Sequence, residues 1–386
     1  MEVKQVYEFI NSVSKQAFGK TAVTATDLTG LISMGDFVLN SDSTRDAFMN
    51  VLVDRIGKTV SGVRPYKRNQ KSIIRNTFEF GAILQKINVD IFEAKKSETW
   101  ELEDGATLGT WELSKPKAKQ KLFGDRTAWQ CDVSIPDIQI KSAFLNAEGM
   151  AAFISAIFVM MENSLEVQLE QYENMAYCNF IAEKIHYQAT AGTGIHVVYL
   201  VQDYNSRFGK TITAANAFAD QDFLKYSTQQ VNLWLSRFEK MSKLFNTEEF
   251  ARFTPRSEAR LTMLSTFASA ADSYLQSDTF HNEYVKLPYY TEIPYWQGSG
   301  QEYAAGEIST IDITTSSGNV VKQDGVIALI SDIEAIGMVC DNRRTTSARD
   351  NNHEITTYFN KADIKYYNDM SENGLVFVVT DTPYTA

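Results

Sequence analysis

Apolar residues recur at spacings of three and four from about Asn146 to about His186, the pattern of one face of an α-helix. The stripe consists of Met150, Phe153, Ile154, Ile157, Phe158, Met161, Leu165, Leu169, Tyr172, Met175 and Ala176. A helix of about 40 residues is roughly 60 Å long, because each residue adds about 1.5 Å. Since most globular domains need shorter helices, we predict that this one forms a spine across the molecule.

Alternating apolar positions, typical of a β-strand, run through residues 79–92. Two matching limbs follow, one beginning at Trp100 and the other at Trp111, each with the sequence Trp-Glu-Leu. Between them lies Asp104-Gly105, a strong signal for a tight turn. Together these patterns predict a long β-hairpin.

The two limbs of the hairpin carry opposite charges. The first holds Glu98, Glu101, Glu103 and Asp104, and the second holds Lys115, Lys117, Lys119 and Lys121. The lysines are spaced by two, so in an extended strand all four point to one face. One interpretation is a solvated edge strand that its lysines protect from aggregation. We favour another, a projecting arm that meets the acidic surface of a neighbouring chain. The candidate contact residues are Lys115, Lys117, Lys119, Lys121, Glu101, Glu103, Asp104, Trp100 and Trp111.

The rest of the chain divides into an arm, a mixed block and a tail. Residues 1–78 contain two predicted helices, and their polar connectors argue against an independent core. Residues 191–335 mix helices and strands, with a buried-strand candidate at Gly325–Ile330. The tail returns to strands, and Asp369–Asn373 is the predicted turn between its last two. A block inserted between the long helix and the tail predicts two domains joined by two chain crossings.

The composition of the chain mainly excludes certain classes of protein. The 386 residues include 37 Lys+Arg against 48 Asp+Glu, a net charge of −11, which argues against a surface built to neutralise nucleic-acid phosphates. The cysteines Cys131, Cys178 and Cys340 are far apart, so we expect a reducing compartment rather than a secretory route. The longest apolar run, residues 151–161, is far short of the roughly 20 residues that cross a bilayer. We therefore expect no membrane association.

Catalytic and ligand-binding motifs are incomplete in this chain. Gly19-Lys20-Thr21 and Gly209-Lys210-Thr211 end like a phosphate-binding loop, but Ser14 and Tyr204 stand where that loop needs an earlier glycine. The four histidines show none of the close pairing typical of metal sites. We expect no enzyme activity, no cofactor and no metal.

Taken in order, these elements resemble the major capsid protein of tailed bacteriophages, with the Hong Kong 97-type fold and podovirus-like features. One matching passage comprises Phe78–Ile83, Trp100, Lys115–Leu122, Ala143–Leu145 and Met161–Ser164. A second comprises Ile327–Ile330, Arg343–Thr345, Tyr366–Asp369 and Gly374–Phe377. The resemblance covers about residues 75–386.

The resemblance implies an α+β fold in five parts. They are an N-terminal arm (1–78), an extended β-hairpin loop (79–134), a peripheral domain with the spine helix and a β-sheet (135–190), an inserted axial α/β domain (191–335), and the returning strands of the peripheral domain (336–386). Residues 1–78 are too few for an arm plus a fused scaffold, so we expect a separate scaffold.

The implied function is self-assembly, as hexamers and pentamers, into an icosahedral phage head that encloses double-stranded DNA. The implied partners are copies of the same chain, a scaffolding protein, a portal protein at one vertex, decoration or head-fibre proteins, and the packaged DNA through non-specific contacts. We expect the protein in the virion capsid after assembly in the host cytoplasm. Two alternatives stay open: an encapsulin-like nanocompartment shell and, from a different class, a soluble enzyme or carbohydrate-binding protein.

Overall fold

The structure is a computed structural model. It describes residues 3–41, 43–48, 51–52, 84–92, 94, 104–105, 115, 117–123, 127–136, 147–191, 193–277, 289–297, 308–315, 317–350 and 354–386. The helices are α1 (Val3–Phe18), α2 (Leu28–Leu39), α3 (Ala147–Ala191), α4 (Leu200–Phe208), α5 (Ala214–Ala217), α6 (Gln221–Phe238) and α7 (Ser265–Ser277). The strands are β1 (Leu84–Val89), β2 (Ala118–Phe123), β3 (Thr127–Pro136), β4 (Val197–Tyr199), β5 (Ala259–Leu264), β6 (Thr291–Ile293), β7 (Ile311–Thr314), β8 (Val320–Gln323), β9 (Val326–Asp332), β10 (Ile336–Asp350), β11 (Ile355–Asn368) and β12 (Gly374–Val378).

The chain forms two compact units, each built from three segments. Unit 1 comprises residues 1–78, 126–172 and 338–365, and unit 2 comprises residues 79–125, 173–337 and 366–386. The long helix α3 contributes to both, and it extends past the end predicted near His186. The five-part division by function drawn from the resemblance remains a prediction.

Unit 1 packs the N-terminal arm onto a three-stranded sheet of order β10-β11-β3. Helix α2 begins after Asp27, whose carboxylate accepts a hydrogen bond from the Gly30 amide at 2.7 Å. The arm shares one core with the sheet and the start of α3. That core contains Ile10, Val13, Leu31, Met34, Val38, Phe48, Val133, Ile135, Ile157 and Tyr358. The arm is therefore part of a core even though its own connectors are polar.

The three-stranded sheet of unit 1 is held in register along its length. Strands β3 and β11 pair antiparallel from Thr127 opposite Ile364 to Pro136 opposite Ile355. Alternate residues of this pair, such as Val133 and Tyr358, are buried in the core, as expected for a sheet with one covered face.

Unit 2 is built around a five-stranded sheet of order β4-β12-β9-β5-β6. Strand β9 is buried at every position, which confirms the buried strand predicted at Gly325–Ile330. Helix α6 covers the sheet with an apolar face that includes Phe223, Val231, Trp234, Leu235 and Phe238. A near-continuous apolar strand and one-sided helices are the expected composition of such a layered core.

The last strand joins the sheet of unit 2. Strand β12 pairs parallel with β4 and antiparallel with β9. The segment Asp369–Asn373 connects β11 to β12, as predicted. Residues 366–386 thus belong structurally with the block at 191–335, whereas the sequence grouped them with the other tail strands.

Candidate functional site

Strands β1 and β2 form a two-stranded antiparallel ribbon. Their register runs from Leu84 opposite Phe123 to Val89 opposite Ala118. Asp104 and Gly105 form an exposed turn beyond the paired strands, and the positive φ of Gly105, 90°, suits glycine. The ribbon and this turn agree with the hairpin expected from the sequence.

The two faces of the ribbon have opposite polarity, and the apolar face is the one turned to solvent. Ile87 is 61% exposed, Val89 55% and Leu122 60%. The neighbouring positions on the other face, Lys86 and Asn88, are covered. A ribbon usually turns its apolar side to the core, so this inverted arrangement requires a polar surface on the body of unit 2.

That polar surface is centred on the turn Asp369–Asn373, named here the acidic turn. Lys86 and Lys121 lie directly opposite each other in the ribbon, a pairing that repels when it is uncompensated. The buried carboxylate of Asp369 lies between them, 2.9 Å from each ammonium group. Asp369 also accepts hydrogen bonds from the amide and hydroxyl of Ser371, at 3.0 and 2.6 Å. One aspartate therefore joins both strands of the ribbon to the body.

Two glutamates extend this network. Glu372 lies 2.6 Å from Lys86 and 3.6 Å from Arg252. Glu248 lies 3.0 Å from Lys119 and also forms an ion pair with Lys121. Because Glu372, Glu248 and the ribbon residues Lys86 and Lys121 are largely shielded from solvent, their pairs are screened less than surface ion pairs, whereas Lys119 is exposed.

Further polar contacts fix the ribbon beside the loop 239–254. The Asn88 amide donates to the Ser371 hydroxyl at 2.7 Å and its oxygen accepts from Arg252 at 2.5 Å. The carboxylate of Asp90 accepts from the Ala251 amide at 3.2 Å and lies 3.5 Å from Lys243. Asn88 and Asp90 of the ribbon therefore each have hydrogen-bond or ion-pair partners on the body of unit 2.

The ribbon changes the ionisation of the acidic turn. Burial alone would raise the pKa of Asp369, but Lys86, the Ser371 hydrogen bond and Lys121 outweigh it and hold this pKa well below its ordinary value of 3.8. The resulting stabilisation is present above that ordinary value and is lost only as the pH falls through the lowered pKa. For Glu372, burial outweighs the nearby cations and raises the pKa. Asp369 is therefore the principal anion of the site.

A further ammonium group lies on the other side of the acidic turn. Lys184, on α3, is fully buried and donates to the main-chain oxygens of Phe245 at 2.8 Å and Glu372 at 3.4 Å. Burial lowers the pKa of Lys184 to about 7, with Asp369 and Glu372 opposing the shift and Lys121 adding to it. The fold therefore keeps a buried amine that is close to its titration point at neutral pH.

The lysine row predicted from the sequence does not act as one surface. Lys119 and Lys121 are paired with carboxylates of their own chain, and the contact of these two lysines with a neighbour stays a prediction. Lys115 and Lys117 are exposed, as is Asp104 in the turn. Trp100, Glu101, Glu103 and Trp111 lie outside the described residues. The contact role of these seven residues stays a prediction.

Sequence reasoning missed Lys86, Asp369, Glu372 and Lys184. One signal was available, since Lys184 continues the helical spacing of the buried residues Ala176 and Phe180 and so places a charge on an apolar face. For Asp369 there was none, because an aspartate in a predicted turn is ordinarily explained by turn geometry.

Other kinds of site were sought in the same residues. Within the described ranges, no group of three or more His, Cys, Asp or Glu side chains is placed to hold a metal ion. No helix among these residues combines the length and apolar character needed to cross a membrane.

The α+β fold matches solved phage capsid structures of the Hong Kong 97 type. A structure of bacteriophage P68 titled for its head fibre and inner core protein contains a chain that aligns with a TM-score of 0.52 and 9% identity, covering 80% of this chain and 83% of that one. The capsid structure of Staphylococcus phage Andhra aligns with a TM-score of 0.48 and 10% identity, covering 82% and 85%. The first of these likenesses supports the fold.

Sequence comparison defines the family. The chain belongs to the Phi29-like phage major capsid protein family, whose model matches residues 8–378. It is 23% identical over 190 residues to the major capsid protein of Bacillus phage GA-1 and 26% identical over 188 residues to that of Bacillus phage B103. These alignments cover 47% of this chain and 38% and 40% of the relatives, so the chain matches well under half of their length.

Membership in this family confirms the resemblance to phage major capsid proteins. It favours the phage head over the nanocompartment and soluble-enzyme alternatives.

Proposed function

We propose that this chain forms the shell of a tailed-phage head by assembling with itself as hexamers and pentamers around double-stranded DNA. The observation that carries the proposal is the family match along residues 8–378. The net charge of −11 fits a shell whose inner wall must not bind the DNA it contains. We infer that a scaffolding protein, a portal protein at one vertex, and decoration or head-fibre proteins complete the head.

The five parts inferred from the resemblance have roles in this proposal. Residues 79–134 act as the extended loop, which ends in strand β3 of the unit 1 sheet. Helix α3 with the other strands of unit 1 acts as the peripheral domain, and residues 191–335 act as the axial domain at the centre of each capsomer. Assembly takes place in the host cytoplasm. The burial of β9 and α6 supports the axial assignment, because a domain at the centre of a capsomer needs a rigid core of its own.

Negative-stain electron microscopy of the expressed protein, alone and with its scaffold, tests the proposal. We expect closed shells or rings of five and six subunits. A protein that sediments only as a monomer or dimer at high concentration, with scaffold present, would contradict it.

We propose that the outer face of the ribbon, formed by Ile87, Val89 and Leu122, is the contact with a neighbouring copy. These exposed apolar side chains share one face of a projecting element, and the charged face is already occupied within the chain. Apolar side chains at the centre of a contact, with charges around it, are the usual composition of an interface core and rim. Lys115, Lys117 and Asp104 would lie at the rim.

The double variant Ile87→Asp/Leu122→Asp tests this contact. Both side chains are exposed in the subunit, so we expect its free energy of unfolding to change by less than about 1 kcal/mol in all. Two carboxylates placed in an apolar contact should reduce the yield of shells at least tenfold, measured by particle counts in electron micrographs.

The control is Val320→Asp, which adds one carboxylate, against two in the double variant, at a 65% exposed apolar position on β8. Shell yields that fall equally in both variants would point to general charge repulsion. A double variant that assembles as well as the wild type would remove the outer face from the interface.

A further inference from the structure

The acidic turn is shared between two sources of positive charge. The ribbon supplies Lys86 and Lys121 from one side, and α3 supplies Lys184 from the other. The ribbon lysines contact carboxylates, whereas the hydrogen bonds of Lys184 go to the main-chain oxygens of Phe245 and Glu372. While the ribbon is in place, the carboxylates are therefore neutralised by the ribbon lysines rather than by Lys184.

This arrangement makes the charge on Lys184 depend on the ribbon. With the ribbon docked, Asp369 is already balanced by Lys86 and Lys121, and a charge on Lys184 is opposed by burial and by Lys121. Without the ribbon, Asp369 and Glu372 lose their closest cations, and the repulsion from Lys121 disappears. Both changes favour a proton on Lys184, because opposite charges attract strongly where water is scarce.

We propose that the β1–β2 ribbon and Lys184 form a proton-coupled latch, in which Lys184 binds its proton less tightly while the ribbon lies on the acidic turn than when the ribbon lifts away. The buried carboxylate of Asp369 is thus neutralised by the ribbon lysines in the docked state and by Lys184 in the lifted state. The latch is a property of the isolated subunit, so it can hold or fail independently of shell formation.

The other charged groups around the acidic turn also lose partners when the ribbon lifts. Glu248 is paired with Lys119 and Lys121, so lifting the ribbon exposes a further negative charge. Glu334 lies 3.2 Å from Lys86 and loses that partner in the same step. Arg252 lies on the body, 3.6 Å from Glu372. It also donates a hydrogen bond to Asn88 of the ribbon, which is lost when the ribbon lifts.

Three other titratable groups do not compete for this role. Asp332 accepts a hydrogen bond from Thr254 at 2.7 Å, and Glu183 on α3 accepts one from Ser317 at 2.9 Å. The pKa of His196 is lowered to about 3, first by burial and then by Lys184, so its imidazole is neutral at neutral pH while the ribbon is docked.

The sign of the pH effect follows from proton uptake. The state that binds more protons is favoured as the pH falls, so acidification favours the lifted ribbon. Because the docked-state pKa of Lys184 is about 7, docking should strengthen as the pH rises above that value. One coupled proton allows at most a tenfold change in the docking equilibrium per pH unit. Below pH 7, Lys184 carries its proton in both states and its effect levels off.

Hydrogen exchange of the ribbon amides in the unassembled full-length subunit tests the latch. The wild type is compared with Lys184→Met at each pH, because the ratio of their protection factors cancels the intrinsic pH dependence of exchange. We expect this ratio for residues 84–92 and 117–123 to rise at least fivefold between about pH 7 and 9, and the ratio for β9 to stay constant. A ratio for the ribbon that does not change with pH would overturn the proposal.

A second pair of variants decides the matter if Lys184→Met does not fold. Lys121→Met removes the cation that opposes a charge on Lys184, so the pH dependence of ribbon protection should move upward by about one unit. Lys119→Met is the control. Among the ion pairs of the described residues, Lys119 is paired only with Glu248, so this variant should keep the wild-type midpoint of the pH dependence of ribbon protection. Equal midpoints in the two variants would show that Lys184 is not coupled to the ribbon.

Discussion

Replacing Gly325 by alanine is expected to lower the free energy of unfolding of the subunit by about 3 kcal/mol or more. Gly325 has a φ of 73°, a conformation that costs other residues about 1–2 kcal/mol. A Cβ atom there would also lie 1.8 Å from the carbonyl oxygen of Val379. These two residues lie where β9 begins and β12 ends in the five-stranded sheet of unit 2. The main chain would have to move, and the hydrogen bond from the Val379 amide to the Gly325 oxygen, 2.7 Å long, would be strained.

Gly318→Ala is the matched control, since Gly318 has a φ of 86° but no neighbouring atom within 4 Å of the added methyl group. It should cost only the conformational part, about 1–2 kcal/mol. Chemical denaturation of both variants measures the difference. Equal losses would mean that the close approach of Gly325 to Val379 does not exist in the folded subunit.

Replacing Ile157 by proline is expected to prevent folding of unit 1. Proline inside a helix removes a main-chain hydrogen bond and clashes with the preceding turn, at a cost of about 3 kcal/mol or more. Ile157 is also buried in the core that the arm, β3 and β11 share, so an isoleucine's contacts are lost at the same time. Soluble yield and circular dichroism of the purified subunit measure the outcome.

The conservative variant Ile157→Leu keeps the helix and most of the volume, so it should cost less than about 1.5 kcal/mol. A proline variant that stays folded, with the helical signal of the wild type, would show that α3 is not one continuous helix through position 157.

The long helix and the hairpin could be predicted because their signals are local and periodic. The apolar stripe that includes Ile157 and Leu169 requires only that a helix repeats every 3.6 residues. The Asp104-Gly105 turn, likewise, depends on the conformational freedom of one glycine. The family resemblance drawn from these elements is confirmed by the family match.

The site could not be predicted because its groups are far apart in sequence. Lys86 and Asp369 are brought together by the fold, and the sequence around either residue does not indicate its partner. The same limit applies to the lysine row. Spacing by two correctly placed Lys119 and Lys121 on one face, but periodicity does not say whether that face meets solvent, a neighbour or the body of the same chain.

The placement of β12 shows the same limit at the level of topology. Its apolar sequence predicts a buried strand, and the structure buries all five of its residues. Which sheet receives it depends on long-range pairing with β4 and β9, which a single sequence does not record.

The central claim is that the ribbon binds its own subunit through its charged face and a neighbouring copy through its apolar face. A cryo-electron microscopy reconstruction of the assembled shell at side-chain resolution tests it most directly. We predict that a neighbouring copy covers Ile87, Val89 and Leu122, while Lys86 and Lys121 remain on Asp369 of the same chain. A shell in which these three apolar side chains face solvent and Lys121 contacts a carboxylate of a neighbour would contradict the claim.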